Sequence, residues 1–296
     1  MSQPTVNEQQ QVVDDALRSI SHIATLHEVT LRIIELVEDP TATAKDLRRL
    51  IENDPALCAR LLKVVNSSFY GLPGQIDSID RAVVLLGLNA IKNIAISASL
   101  TRLFTGGQLC PSFSARDLWV HSAATATAAK QIAAHLGMAM TDQAFLAGLI
   151  HDMGVIVELQ LERSRLIDVI NTVDPDKKGN PRNPMRDAER ELFGADHERF
   201  GEGLCRRWKF PKVLSQVCGN HHEPLELPEG ERTLACITHV ADHLAATAAL
   251  GFRLDIISTE INPAILEELG LTPEVLAPIV EGLPQSVDEV LSVLGG

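Results

Sequence analysis

Ala147-Gly148-Leu149-Ile150-His151-Asp152-Met153-Gly154 is the stretch on which the reading of this chain turns. A neutral imidazole and a carboxylate side by side are borderline-to-hard donors that can share a transition metal without an oxidising compartment. Two adjacent residues cannot fill a coordination sphere, so other ligands must converge on them from elsewhere. The chain offers His121 upstream and His197, His221, His222 and Asp242 downstream.

The composition sets the limits. At 296 residues, with 45% hydrophobic and 22% charged side chains, the chain can bury a substantial core and does not read as disordered. A formal net charge of −13 argues against a nucleic-acid-binding surface, which needs clustered Lys and Arg. It leaves room for a small anionic ligand held at a metal, where local charge overrides net charge. Five cysteines (Cys58, Cys110, Cys205, Cys218, Cys236) without Cys-x-x-Cys spacing read as reduced, mostly buried small hydrophobes. The first residues carry no basic start and no apolar core, so no signal peptide is expected. Apolar stretches read as broken by charge or His short of the roughly 18–20 residues a spanning helix needs. A cytoplasmic protein with no membrane partner is expected.

Nearly every segment reads as helix. Aromatics are only 4%, Ala and Leu dominate, and β-branched alternation is rare, which predicts an all-α fold. Thr43 with Asp46 predicts a capping box, Asp54-Pro55 a cap followed by an N1 proline, and Ser78 and Gly87 the start and stop of another helix. A long apolar helix is predicted over 89–104, ending at Gly106-Gly107. The small-residue run over 115–136 (Ala123, Ala124, Ala126, Ala128, Ala129) predicts a central helix that neighbours approach closely, with His121 on it. His151-Asp152 falls on a helix predicted over 142–161. A Pro- and Gly-containing loop is expected over 174–187. Further helices are predicted over 195–208, 211–221 and 231–250, then three short ones punctuated by Pro263, Pro273 and Pro284.

Apart from the two adjacent pairs, each candidate ligand lies on its own predicted helix, the way helical bundles build metal sites. Neighbours on one helix point about 100° apart, so His151 and Asp152 either reach one ion from a flank or bridge two. The same geometry sets His221 and His222 to different tasks, one as a ligand and the other on a second metal, a substrate oxygen or a supporting carboxylate. His22, His27, His135, His239 and His243 read as hydrogen-bonded core or surface residues.

The order His, His-Asp, His, His-His, Asp resembles the HD superfamily of metal-dependent phosphohydrolases, especially its branch acting on cyclic dinucleotides. Upstream, Asp54-Pro55-Ala56-Leu57, the string from Leu61 to Gly71 that ends in Asn66-Ser67-Ser68-Phe69-Tyr70-Gly71, and Arg81-Ala82-Val83-Val84-Leu85-Leu86-Gly87 resemble the HDOD domain. So do Leu118-Trp119-Val120-His121-Ser122 and the stretch from Ala144 to Gly154. The resemblance runs over about 20–222, with Asp242 beyond it. It implies an HD-superfamily helical bundle: an N-terminal tail (1–19), an HDOD domain (20–250) made of an N-terminal helical lobe (20–110) and an HD-like metal-binding lobe (111–250), and a C-terminal helical extension (251–296).

Carried over residue by residue, the resemblance makes His121, His151, Asp152 and Asp242 the ligands of a single-metal site. His197, His221 and His222 become the added ligands of a two-metal one, with Asp117 as a further carboxylate. One or two divalent or transition ions are implied (Fe, Mn, Zn, Co or Ni). HDOD domains are bacterial signalling or regulatory modules, many of them non-enzymatic, and the implied partner is a signalling protein or a small nucleotide ligand. An active phosphohydrolase acting on a nucleotide or cyclic dinucleotide is the alternative, with catalysis at Asp152 and a water on the metal. A metal-free scaffold is the third reading. The sequence departs from the cyclic-dinucleotide enzymes where Val155 stands in place of a Lys after the His-Asp stretch. It departs again where His221-His222-Glu223-Pro224-Leu225-Glu226 lacks their Gly-Tyr-Pro. His27 stands where the family usually has a Pro. Arg81, Lys92, Arg116, Arg186 and Arg206 are the cations available to contact a phosphate in place of that Lys.

Overall fold

The computed structural model describes residues 6–20, 26, 28–39, 41–104 and 107–295. Helices α1 (Val6–Ser19), α2 (Glu28–Glu38), α3 (Ala44–Glu52), α4 (Pro55–Val65), α5 (Ile79–Leu86) and α6 (Leu88–Leu100) come first. The sequence signals sit at these ends. Thr43 and Asp46 form the reciprocal capping box of α3, Asp54 caps α4 with Pro55 at its first position, and Ser78 caps α5. Gly87 closes α5 at a φ of 85°, a left-handed value that a residue with a Cβ adopts only at a cost. A hairpin of β1 (Gln108–Cys110) and β2 (Phe113–Ser114), absent from the sequence reading, leads into the second half. His22, His27 and Gly106 lie outside the described residues.

The second half contains α7 (Ala115–His135), α8 (Thr141–Ile150), α9 (Met153–Leu161), α10 (Arg163–Val173), α11 (Met185–Phe193), α12 (His197–Arg207), α13 (Lys212–Asn220), α14 (Thr233–Thr247), α15 (Pro263–Leu269) and α16 (Pro273–Leu294). Helix α7 is the central strut, with α8, α14 and α16 all packed on it. Its small residues allow this. A Cβ on Gly148 of α8 would stand 2.7 Å from the Cα of Ala126, so the two backbones touch where Gly meets Ala.

Four expectations need correction. The helix predicted over 142–161 is two helices, α8 and α9, with the chain turning at His151-Asp152. That stretch, Thr141–Leu161, has the length and apolar character of a membrane span, contrary to the reading that all apolar runs fall short. The break divides it, and 83% of its most apolar window is buried inside the protein. The described part of the expected N-terminal tail is helix α1, whose Val13 packs so tightly on α12 that a Cβ on Gly203 would come within 2.4 Å of it. Finally, the last 30 or so residues form two helices rather than three, because Pro278 and Pro284 are carried inside α16.

The Asn66-to-Gly71 string joins the two halves. Asn66 Nδ2 donates to the Leu62 and Ile76 carbonyls (2.8 and 2.7 Å), and its Oδ1 accepts from the Ile76 amide (2.7 Å), which pins the loop that follows α4. The Tyr70 hydroxyl donates to Asp142 at the start of α8 (2.9 Å), and Asp142 pairs with Lys130 of α7 (3.1 Å). The Lys130 ammonium lies over the Phe69 and Tyr70 rings, 4.3 and 3.8 Å from their centroids. Asn66→Ala leaves two of these backbone groups without a partner and is expected to cost about 1–3 kcal/mol, read from the urea midpoint.

Candidate metal centre

The turn between α8 and α9 settles how adjacent residues serve one site. Because the helix ends at Ile150, His151 and Asp152 are not held at the fixed angular spacing of a continuous helix. His151 Nδ1–H donates to the Gly148 carbonyl (2.7 Å), which leaves Nε2 unprotonated and facing the centre. Asp152 stands between two groups of side chains, one at each of its oxygens.

On one side, Asp152 Oδ2 lies 3.3 Å from His151 Nε2 and 3.6 Å from His121 Nε2. His121 Nε2 is 3.0 Å from Asp242 Oδ1 and 3.3 Å from His151 Nε2. On the other side, Asp152 Oδ1 lies 3.5 Å from His221 Nε2 and 3.8 Å from His197 Nε2. His197 Nε2 is 3.0 Å from His222 Nε2, which is 3.4 Å from Asp255 Oδ2. Donors bound to one ion at about 2.0–2.2 Å stand about 3.0–3.6 Å from one another in octahedral or tetrahedral arrangements. Most of these spacings fall in that range, with His197 Nε2–Asp152 Oδ1 and His151 Nε2–Asp242 Oδ1 slightly longer at 3.8 Å each. His121, His151 and Asp242 form one set that could hold an ion, and His197, His221, His222 and Asp255 form another.

All seven residues singled out from the sequence therefore lie together. Asp117 does not join them: it is exposed at the start of α7 and accepts from Ser114 Oγ (2.6 Å). Two acidic residues were missed. Asp255 follows α14 in the segment read as an extension, and an isolated loop carboxylate carries no spacing signal. Glu189 of α11 accepts from both the backbone amide and Nδ1–H of His197 (3.1 and 2.8 Å), which turns His197 Nε2 toward the centre. His221 Nδ1–H donates to the Cys218 carbonyl (3.2 Å) and is oriented the same way. His239 and His243, read as core residues, are buried on α14. His239 Nδ1–H holds the His221 carbonyl (2.8 Å), and His243 Nδ1–H holds that of His239 (2.9 Å).

Close backbone approach keeps these elements in register. A Cβ on Gly154 would fall 1.8 Å from the carbonyl oxygen of His197, so α9 and α12 meet only because residue 154 has no side chain. The glycines of the Gly148-to-Gly154 stretch thus place His151-Asp152 against α7 on one side and α12 on the other.

The buried polar atoms test whether a metal fits. The side chains of His121, His151, Asp152, His197, His221, Asp242 and Asp255 are closed to solvent. Neither oxygen of Asp152, Asp242 or Asp255 accepts a hydrogen bond of good geometry, and His221 Nε2 has no partner either. Buried carboxylates without donors are costly, and coordinating a cation is one of the few ways to satisfy them. The donor set of imidazoles and carboxylates suits a divalent transition ion.

Charge effects point the same way. Burial works against a proton on His121, but Asp242 and then Asp152 outweigh it and hold the pKa at about 9. Burial, reinforced by Asp152 and Asp242, pushes Asp255 up to about 8. Burial, aided by His221 and His121 and opposed by Asp152 and Asp242, takes His151 down to about 4, so it is a neutral donor at pH 7. Below about pH 8, metal uptake must therefore expel protons from His121 and Asp255. Affinity is expected to rise with pH from 6.5 to about 8, by about tenfold per pH unit for each proton released. Competition with a metal-sensitive dye across this range measures it. Glu189→Gln, which loses the carboxylate behind His197, is expected to weaken metal binding about 10- to 100-fold in the same assay.

The family model for the HDOD domain matches residues 23–224. The chain belongs to the HDOD domain family. Among solved structures, an HDOD domain protein of unknown function from Geobacter sulfurreducens superposes with a TM-score of 0.79 at 24% identity, covering 98% of this chain and 99% of the other. A proposed phosphohydrolase from Shewanella amazonensis SB2B gives 0.70 at 21% identity, covering 95% and 98%. These likenesses concern the fold. An uncharacterized protein of Treponema pallidum (strain Nichols) is 25% identical over 229 residues, 73% of this chain. The chain matches only 40% of that relative's length. Asp242 and Asp255 both lie beyond the stretch that the family model covers.

Proposed function

We propose that this HDOD protein is a signalling or regulatory module built around a resident dinuclear metal centre, with Asp152 shared between the two ions. The observation that carries the reading is the set of three buried carboxylates whose oxygens accept no hydrogen bond, interleaved with five imidazoles. His121, His151, Asp152 and Asp242 would hold one ion, and Asp152, His197, His221 and His222 the other. Metal analysis of protein purified without added metal tests it. About two equivalents support the reading, and less than a tenth of an equivalent sinks it. The net charge of −13 favours a small nucleotide or a protein partner over a nucleic acid.

Phosphohydrolase activity is the second reading, favoured by the position of Asp152 between the two groups. Two divalent ions held by these residues would supply Lewis acidity for a phosphoryl displacement. Against turnover stands Val155, in the position where the cyclic-dinucleotide enzymes carry a phosphate-contacting Lys. Of the five cations considered, Arg186 is tied to the ligand set but is committed to Glu198 (2.5 Å) and Glu223 (2.6 Å). Glu198 also accepts from the His222 amide (3.1 Å), so this arginine braces the ligand set. A panel of phosphodiesters and phosphomonoesters decides the matter, provided that any turnover is lost in His151→Ala with the helical content unchanged.

A further inference from the structure

The candidate ligands come from two kinds of element. His121, His197 and Asp242 lie on helices, and His151, Asp152, His221 and His222 lie at the turns where helices end. Asp255 alone comes from an irregular segment, the strap formed by residues 251–256 after α14. That strap crosses α7 at His121. The Phe252 amide donates to the Asp117 carbonyl (3.0 Å), and the crossing is so close that a Cβ on Gly251 would lie 2.2 Å from the Asp117 oxygen and 2.6 Å from the His121 nitrogen. The Phe252 ring then packs against the rings of His121 and Phe113, with centroids 6.0 and 5.7 Å apart. Beyond it the strap delivers Asp255 into the centre, buried, with neither carboxylate oxygen accepting a hydrogen bond.

Two consequences follow from this arrangement. With the strap down, the ligand side chains are shut from solvent, apart from the partly exposed His222, beside which a cavity of about 230 Å³ opens. And the group placed at the second cluster is an anionic oxygen donor, the donor type that a phosphate or phosphoryl group also presents to a metal. The rigid elements already give that cluster three imidazoles and one oxygen of Asp152.

We propose that the strap is an internal plug: Asp255 occupies the coordination position of an external phosphate-type oxygen ligand, and that ligand binds by displacing Asp255 and lifting residues 251–256 from α7. The inference rests on the metal reading above and adds the ligand class and the means of access. It also accounts for a centre with a full ligand set that meets a cavity only at the partly exposed His222. The helices stay in place, and the exchange is of one oxygen donor for another. The strap is held by one backbone hydrogen bond to α7, the hydrogen bond from Arg253 to the Lys178 carbonyl, and the burial of Phe252, Leu254 and Ile256. Lifting it exposes these three side chains while the helices stay packed, so the open form is a minor state reached by local opening.

The test uses the full chain loaded with Mn²⁺, with inorganic phosphate as the probe. Isothermal titration is run on wild type, Asp255→Ala and Phe252→Ala, and bound metal is quantified in each. Phe252→Ala is expected to keep the wild-type metal content, and Asp255→Ala to stay loaded at saturating Mn²⁺ with a weaker metal affinity. Both are expected to bind phosphate about tenfold more tightly or better, the gain when a site that was open less than a tenth of the time is freed. In wild type, added phosphate is expected to speed amide exchange over 251–257 and leave α7 and α14 protected. Loss of a metal equivalent in Asp255→Ala without tighter phosphate binding would make Asp255 a fixed ligand and overturn the plug. A gain in Asp255→Ala with none in Phe252→Ala would mark simple removal of charge, and also overturns it. Wild type that takes up no Mn²⁺ refutes the metal reading itself, whereas metal-loaded protein with unchanged phosphate affinity in both variants refutes the strap alone.

Discussion

Gly154→Ala is expected to be among the most damaging single-methyl changes in this protein. The added carbon would fall 1.8 Å from the His197 carbonyl oxygen, a backbone atom that cannot swing aside. Helices α9 and α12 would have to part, at a cost of about 3 kcal/mol or more. For a chain of this size that corresponds to a fall in Tm of about 6–12 °C. The separation acts on the centre directly, since Gly154 follows Asp152 by two residues and its obstacle is the backbone of a candidate ligand. Metal content should fall together with stability. Thermal melts of wild type and variant, each with and without a chelator, measure both effects. A variant that melts within 2 °C of wild type and keeps its metal would mean that the close approach of α9 to α12 does not constrain the site.

Asp152→Ala is expected to separate metal from stability. Each oxygen of Asp152 faces a different set of imidazoles, so its loss removes a donor from both at once. The remaining groups keep their burial but no longer share a charge between them, and bound metal should drop below about a tenth of the wild-type content. An ion that binds only the folded state stabilises it by about 4 kcal/mol when its free concentration is about a thousand times Kd. Chelator should therefore lower the Tm of wild type by several degrees and leave Asp152→Ala unmoved. Equal chelator sensitivity in the two proteins would remove Asp152 from the centre.

Much of this architecture is legible in the residues, for local physical reasons. Thr43, Asp54 and Ser78 mark helix starts because their side chains satisfy amides that the helix itself cannot. The alanines of α7 announce close helix approach because only small side chains permit it. The seven His and Asp candidates could be gathered by their order along the chain, and they lie together in space.

What was not legible is equally specific. The turn at His151-Asp152 is flanked on both sides by apolar residues with helical preference, so no local signal divides α8 from α9. The break is set by tertiary contacts, namely Gly148 on α7 and Gly154 on α12. Pro278 and Pro284 were natural stopping points, yet α16 runs through them, buried along Leu276, Leu283, Val287 and Val290. Burial of that face outweighs the amides those prolines lack. Glu189 and Asp255 belong to the centre through folding alone. Each is a single acidic residue in a sequence with 39 of them, and nothing in its neighbours sets it apart.

The central claim is that Asp152 joins two metal-holding groups in one buried centre. Anomalous diffraction from crystals of the native protein, recorded at the absorption edge of the co-purifying metal, tests it most directly. Two peaks are expected, one among His121, His151 and Asp242 and one among His197, His221 and His222, with an oxygen of Asp152 beside each. Crystals that show these side chains in place and no anomalous density beside Asp152, after growth with Mn²⁺, Fe²⁺ or Zn²⁺ in turn, would contradict the claim.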